Sequence, residues 1–171
     1  MKTRLTAKDL AYIGVVAALY AAMTLAVAPL SFEAVQLRFS EILVLLCFYR
    51  KEYCYSMVLG CAVANMFSPL GVTDVIFGTL ATLIAVIGIR LIVGKQTERT
   101  LSRLFAASLM PVLSNGIIIG LEIYILFGEM PLLPSILSVA AGELIVVSVI
   151  GVAVFRIIEK NKVITNLILG V

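Results

Sequence analysis

Six apolar runs, separated by short polar segments, divide the chain. They are Leu10–Leu30, Phe39–Tyr49, Tyr53–Phe67, Asp74–Val93, Leu104–Phe127 and Leu132–Ile158. A helix of about 20 apolar residues crosses the roughly 30 Å hydrocarbon core of a bilayer. The pattern therefore predicts an all-α integral membrane protein, a six-helix bundle that occupies residues 1–171 as a single domain with both termini on one side.

Composition agrees with a membrane setting. Apolar residues make up 62% of the 171 residues and charged residues only 13%, whereas soluble domains are about 45–50% apolar and about 25% charged. The basic N-terminus is followed by an apolar run that is too long for a cleavable signal peptide. We therefore expect a multi-pass protein of the cell (inner or plasma) membrane, in contact with the lipid bilayer.

The basic residues predict the orientation. Six spans place twelve of the 13 Lys and Arg residues on one side and only Arg38 on the other. Because loops rich in Lys and Arg stay in the cytoplasm, both termini are expected to be cytoplasmic. This distribution also accounts for the net charge of +3, so we infer no nucleic-acid partner.

The second run is too short to cross a bilayer. Eleven residues at 1.5 Å per residue extend only about 17 Å, so the segment before it, Phe32–Glu41, is expected to lie partly at membrane depth. Irregular backbone is tolerated there only next to protein or a water-filled cavity. We interpret this segment as the lid and part of the floor of an outward-facing pocket. Tilted or longer helices are the alternative.

Polar residues at membrane depth are the candidate binding residues, because ionisable groups inside a span usually mark functional sites. Acidic residues dominate the predicted outer half and are opposed only by Arg38, which favours a ligand that is cationic or rich in N–H donors. The predicted substrate-binding residues are Gln36, Arg38, Glu41, Asn65, Asp74, Asn115, Glu122 and Glu143.

Structural roles remain open for several of these residues. Asp74 suits a helix N-cap, and Asn65 and Asn115 suit interhelical hydrogen bonds. Arg38 has Glu33 and Glu41 as neighbouring acidic partners. Glu122 and Glu143 are open to structural pairing alone, and Glu129 is expected in a solvated loop.

The first span carries small residues at helical spacing. Gly14, Ala18, Ala22 and Ala26 recur every four residues, and Ala17 and Ala21 form a second row. Small residues with this spacing let another helix approach closely. The rows fit either packing within the bundle or docking of a second membrane protein. A shorter pair, Gly116 and Gly120, is expected to pack internally.

The chain lacks the residues that several classes of chemistry require. The chain has no His and only three Cys residues, none of them in a CxxC pair, so we predict no metal site and no cofactor. It also has no GxxxxGK[ST] nucleotide-binding loop. We therefore expect a protein that is not an enzyme, and that captures a small solute while energy is supplied elsewhere.

Three stretches resemble the QueT family of substrate-binding S components of energy-coupling factor (ECF) transporters. They are VQLRFSE (Val35–Glu41), the segment Gly60–Ala85, and NGIIIG (Asn115–Gly120). The resemblance extends from Ala11 to about Ile158.

The resemblance implies an ECF S-component-like bundle that docks, through small residues of its first helix, on an ECF module of one transmembrane coupling protein and two cytosolic ATPases. The implied ligand is a queuosine precursor, a 7-deazaguanine such as preQ1 or queuine. For such a ligand we expect Glu41 or Glu122 at the guanine-like edge and Asp74 or Glu143 at the amine. The alternatives are an S component for another vitamin-like solute, such as a thiamin precursor, and a solitary small-solute transporter.

Overall fold

The computed structural model describes residues 5–31, 37–94, 98–128 and 130–170, and these residues form helices without any strand. In chain order the helices are α1 (Ala7–Ala26), α2 (Ala28–Ser31), α3 (Phe39–Tyr49), α4 (Tyr53–Asn65), α5 (Val72–Val93), α6 (Leu101–Phe127), α7 (Leu132–Ile158) and α8 (Lys162–Leu169). The predicted all-α fold is thus confirmed for the described part of the chain.

Four helices, α1, α5, α6 and α7, are long and apolar enough to cross a membrane. Helices α3 and α4 are shorter, as the two short apolar runs indicated. Six crossings and cytoplasmic termini therefore stay predictions. Helix α8 was not predicted from the apolar pattern; it begins after Asn161, whose side chain accepts hydrogen bonds from the first helical N–H groups.

Local capping chemistry shifts the start of α1. Thr6 and Asp9 form a capping box, in which the Asp9 N–H donates to Thr6 Oγ1 (3.2 Å) and the Thr6 N–H donates to Asp9 Oδ2 (2.9 Å). This motif satisfies two N–H groups that a helix start leaves open. Helix α1 therefore begins at Ala7 and not at Leu10. It ends at Ala26, and the separate turn of α2 follows where the apolar run continues to Leu30.

Helix α3 lies inside the bundle. Its first seven residues, Phe39–Leu45, form a 3₁₀-helix. With rises of about 2.0 Å and then 1.5 Å per residue, α3 extends only about 20 Å. Val44, Leu45 and Cys47 are fully buried, and α3 contacts α1, α4, α5, α6 and α7. An apolar helix enclosed in this way is a core element, and its N-terminal residues Ser40 and Glu41 are buried among the surrounding helices.

Glycines allow the close packing around α3. A Cβ on Gly120 of α6 would lie 2.6 Å from Ile136 Cα of α7, and one on Gly116 would lie 3.0 Å from Ala140 Cβ. The Gly116–Gly120 pair therefore packs internally, as predicted. Gly60 of α4 packs equally closely against the backbone of α1.

Replacing Gly60 with valine should lower the stability of the purified protein by about 1–3 kcal/mol, the usual effect of overpacking. An added Cβ would lie 2.8 Å from the Ala17 carbonyl oxygen, so α1 and α4 must separate. Gly14→Val is the matched control, because a Cβ there meets nothing within 4 Å. Thermal unfolding in detergent measures both variants, and equal losses would contradict this packing.

Candidate functional site

Buried polar side chains join α1 to the start of α3. Glu41 is 1% exposed, and its Oε1 accepts a hydrogen bond from the Tyr20 hydroxyl. The hydroxyl oxygens of Thr24 and Ser40 lie 2.6 Å apart and share a hydrogen bond. Glu41 Oε2 is also buried, yet it has no hydrogen-bond partner among the described residues. One carboxylate oxygen is thus anchored and the other is left to accept.

Arg38 connects the end of α2 to the start of α5. Its Nε donates to the Ser31 carbonyl oxygen (3.1 Å), and its Nη2 lies 3.3 Å and 3.4 Å from the two carboxylate oxygens of Asp74. Both side chains are buried. The salt bridge observed within the described residues is therefore to Asp74 and not to Glu41; the other candidate partner, Glu33, lies outside the described residues.

Asp74 does not cap α5. The N-cap position is Gly71, and no side chain caps this helix end, so the capping interpretation was wrong. The Asp74 carbonyl oxygen accepts from Asn65 Nδ2 (2.9 Å), which also lies 3.4 Å from Cys61 Sγ. Asn65 thus forms the interhelical hydrogen bond considered as one interpretation, while its Oδ1 is buried without a described partner.

Helices α6 and α7 contribute two further carboxyl groups. Asn115 Nδ2 donates to Glu143 Oε1 at 2.7 Å, and Glu143 is followed by a π-helical segment, Leu144–Gly151. Such widened turns inside α-helices frequently occur at functional sites. Glu122 lies two turns after Asn115 on the same face and is 1% exposed. Both oxygens of Glu122 and Oε2 of Glu143 lack a hydrogen-bond partner among the described residues.

These groups converge on Arg38. Its guanidinium interacts electrostatically with Glu41, Glu122 and Glu143 as well as Asp74. Carboxyl groups of four helices, α3, α5, α6 and α7, therefore lie within electrostatic range of the Arg38 guanidinium, and that of Asp74 is in direct contact with it. Because buried like charges repel strongly unless they are compensated, this arrangement has capacity for additional positive charge and for hydrogen-bond donors.

The structure brings together seven of the eight predicted site residues. The eighth, Gln36, lies outside the described residues, as does Glu129. Tyr20, Thr24 and Ser40 were missed, although Tyr20 and Thr24 are spaced one turn apart in an otherwise apolar span. The described residues contain no group of three or more His, Cys, Asp or Glu side chains that could hold a metal ion.

The two rows of small residues on α1 differ in exposure. Ala17 and Ala21 are buried in the bundle, and Ala17 meets Gly60 of α4. The other row, which we call the exposed row, consists of Gly14, Ala18, Ala22 and Ala26. One row therefore packs internally and the other is exposed, and docking of a second membrane protein on the exposed row stays a prediction.

Four long apolar helices around buried polar side chains are typical of a multi-pass membrane protein. The family model described as QueT transporter matches residues 10–160. The chain therefore belongs to the QueT transporter family, a family of transporters.

A curated relative is the queuosine precursor transporter QueT of Lactococcus lactis subsp. cremoris (strain MG1363). It is 37% identical over 78 residues, which cover 44% of this chain and 46% of the relative. The match thus spans about half the length of that relative. No solved structure matches the chain.

Proposed function

We propose that this protein is the substrate-binding S component of an ECF transporter and captures a queuosine precursor of the 7-deazaguanine type. The proposal is supported by membership of the QueT transporter family and by the name of the curated relative. In this proposal the chain crosses the membrane six times, with both termini in the cytoplasm, and its site opens outward.

The observation that carries the ligand class is the surplus of buried acceptors. Four carboxylate oxygens, both of Glu122 and one each of Glu41 and Glu143, have no described hydrogen-bond partner. PreQ1 carries a cationic amine and a guanine-like edge rich in N–H donors. Charge-assisted hydrogen bonds to carboxylates are among the stronger kinds, so this ligand supplies both the charge and the donors that the site accepts.

The contacts suggest which carboxylate meets which part of the ligand. Asp74 is engaged by Arg38, which leaves Glu143 as the better partner for the amine. Glu41 uses one oxygen for Tyr20, whereas Glu122 uses neither, so Glu122 is assigned to the two neighbouring N–H groups of the guanine-like edge. Arg38 holds the loop, and Gln36, Asn65 and Asn115 complete the edge.

Calorimetry with preQ1 on the purified protein tests this function. Saturable binding at one site per chain is expected. No binding of preQ1 or queuine would overturn the ligand assignment, and stabilisation by a thiamin precursor in a thermal-shift screen would favour the other vitamin-like solute.

Energy coupling is tested separately through the exposed row. Docking on the coupling protein requires close helix approach, so Ala18→Leu with Ala22→Leu should reduce the ATPases that co-purify from native membranes by about tenfold. Ala153→Leu, at an exposed position on α7, is the control and should leave the yield unchanged. If no ATPase co-purifies with the wild-type protein under mild detergent, the result favours the alternative that the chain is a solitary transporter.

A further inference from the structure

An apolar groove of about 390 Å³ lies between α4 and α5, and none of the site carboxylates lines it. Val58 of α4 and Val86 of α5 line it, and Val86 is only 2% exposed. Leu83 and Ile87 also line it and are 41% and 50% exposed. Because exposed apolar side chains of a membrane protein face lipid, the groove is open toward the bilayer.

Two cationic side chains close one end of the groove. Lys51 precedes α4, and Arg90 lies in the last turn of α5. Arg90 Nη1 donates to the Cys47 carbonyl oxygen at 3.0 Å, which holds the guanidinium beside the groove. Within the described part of the chain, Arg90 forms no salt bridge. Asp74 precedes Leu83, the first α5 residue that lines the groove, by nine residues, about 14 Å at helical rise, and it does not line the groove. The groove is therefore distinct from the carboxylate site.

We propose that this groove binds an anionic phospholipid, with an acyl chain against Val58 and Val86 and the phosphate at Lys51 and Arg90. The wall from Leu83 to Arg90 is about 10 Å long, enough for a segment of acyl chain. Arg and Lys are the side chains that pair best with phosphate. Basic pockets between membrane helices bind anionic headgroups on the cytoplasmic side, which is the side to which the charge distribution assigns this end.

Charge complementarity favours a lipid over a protein helix. The cations stand together at one end of a groove whose remaining length is apolar, and this matches a molecule with one anionic head and an apolar tail. The inference depends only on the membrane location of the chain. It does not depend on whether the chain binds a queuosine precursor or docks on an ECF module.

Tryptophan fluorescence can test the groove directly, because the chain contains no Trp. Leu91→Trp places a reporter at the basic end of the groove, where Leu91 is 77% exposed. Ile157→Trp is the control: Ile157 is 66% exposed near the end of α7, beside Arg156, which is paired with Glu159 at 2.6 Å. Each full-length variant is reconstituted in phosphatidylcholine with brominated phosphatidylglycerol or brominated phosphatidylcholine as the quencher.

In the Leu91→Trp variant, brominated phosphatidylglycerol should quench at a roughly fivefold lower mole fraction than brominated phosphatidylcholine, because nearby Lys and Arg attract anionic lipid. The Ile157→Trp control should show no such preference. Adding Lys51→Gln to Leu91→Trp should reduce the preference, and adding Lys160→Gln should not.

Three results would each overturn the proposal. They are equal quenching of Leu91→Trp by the two lipids, an equal preference in the Ile157→Trp control, and no quenching of Leu91→Trp because protein covers the groove. None of the test variants replaces Arg90, because its hydrogen bond to the Cys47 carbonyl oxygen also supports the fold.

Discussion

Replacing Glu122 with glutamine should weaken preQ1 binding by about 10- to 100-fold. A hydrogen bond to a charged group contributes about 1.5–3 kcal/mol, and each 1.4 kcal/mol is tenfold in affinity. Glu122 is 1% exposed with neither oxygen engaged by a described residue. Glutamine keeps its size but loses the negative charge and offers one acceptor oxygen in place of two.

Calorimetry of Glu122→Gln and of Glu98→Gln separates a site effect from a general charge effect. Glu98 is an exposed carboxylate outside the site, so its replacement should leave the Kd unchanged. Because Glu122→Gln removes a buried charge that lacks a described partner, the variant should also unfold at the same or a higher temperature. A folded Glu122→Gln protein with wild-type affinity would exclude Glu122 from the site.

Replacing Arg38 with glutamine should cost about 3–5 kcal/mol of stability, since it leaves the buried Asp74 carboxylate without its salt-bridge partner. Both side chains are at most 5% exposed. Arg38→Gln is therefore expected to unfold at clearly lower temperature in detergent. Asp74→Asn should lose less stability, because the Arg38 guanidinium still interacts with Glu41. The pair joins the segment before α3 to α5, so each variant should also bind preQ1 more weakly.

The double variant Arg38→Gln/Asp74→Asn provides the decisive comparison. The double variant also removes the carboxylate that Arg38→Gln leaves uncompensated, so it should recover part of the stability lost in Arg38→Gln. Arg156→Gln is the control, because Arg156 is 45% exposed in its pair with Glu159, and exposed pairs contribute about 0–1 kcal/mol. Additive losses in the double variant would show that the two groups do not act as a pair.

The sequence predicted which polar side chains are buried between the helices better than it predicted their contacts. Charges in apolar runs are rare enough that Glu122 and Glu143 were identified from their positions alone. Their partners were not, because a hydrogen bond between residues 28 positions apart, such as that of Asn115 and Glu143, depends on how α6 packs on α7. The same limit explains Asp74: the pattern indicated a cap, whereas the salt bridge arises from Arg38, 36 residues earlier.

Polar groups without charge were harder to detect. Tyr20 and Thr24 are both fully buried, but one Tyr and one Thr in an apolar span are common in membrane helices that have no binding site. Their role becomes visible only when α3 places Ser40 and Glu41 against them. The small residues of α1 show the same limit, because spacing alone does not reveal which row faces α4.

The sequence alone indicated the membrane location, the helical class, the shortness of the second apolar run, which forms α3, and the acidic character of the site. These depend on the transfer of side chains and backbone into lipid, a property of composition and of the length of each apolar run. The tertiary structure decided that Phe39–Glu41 is enclosed by other helices, that Arg38 pairs with Asp74, and that no described residue donates a hydrogen bond to either oxygen of Glu122. Those features depend on which helix faces meet, and contacts between residues distant in sequence set them.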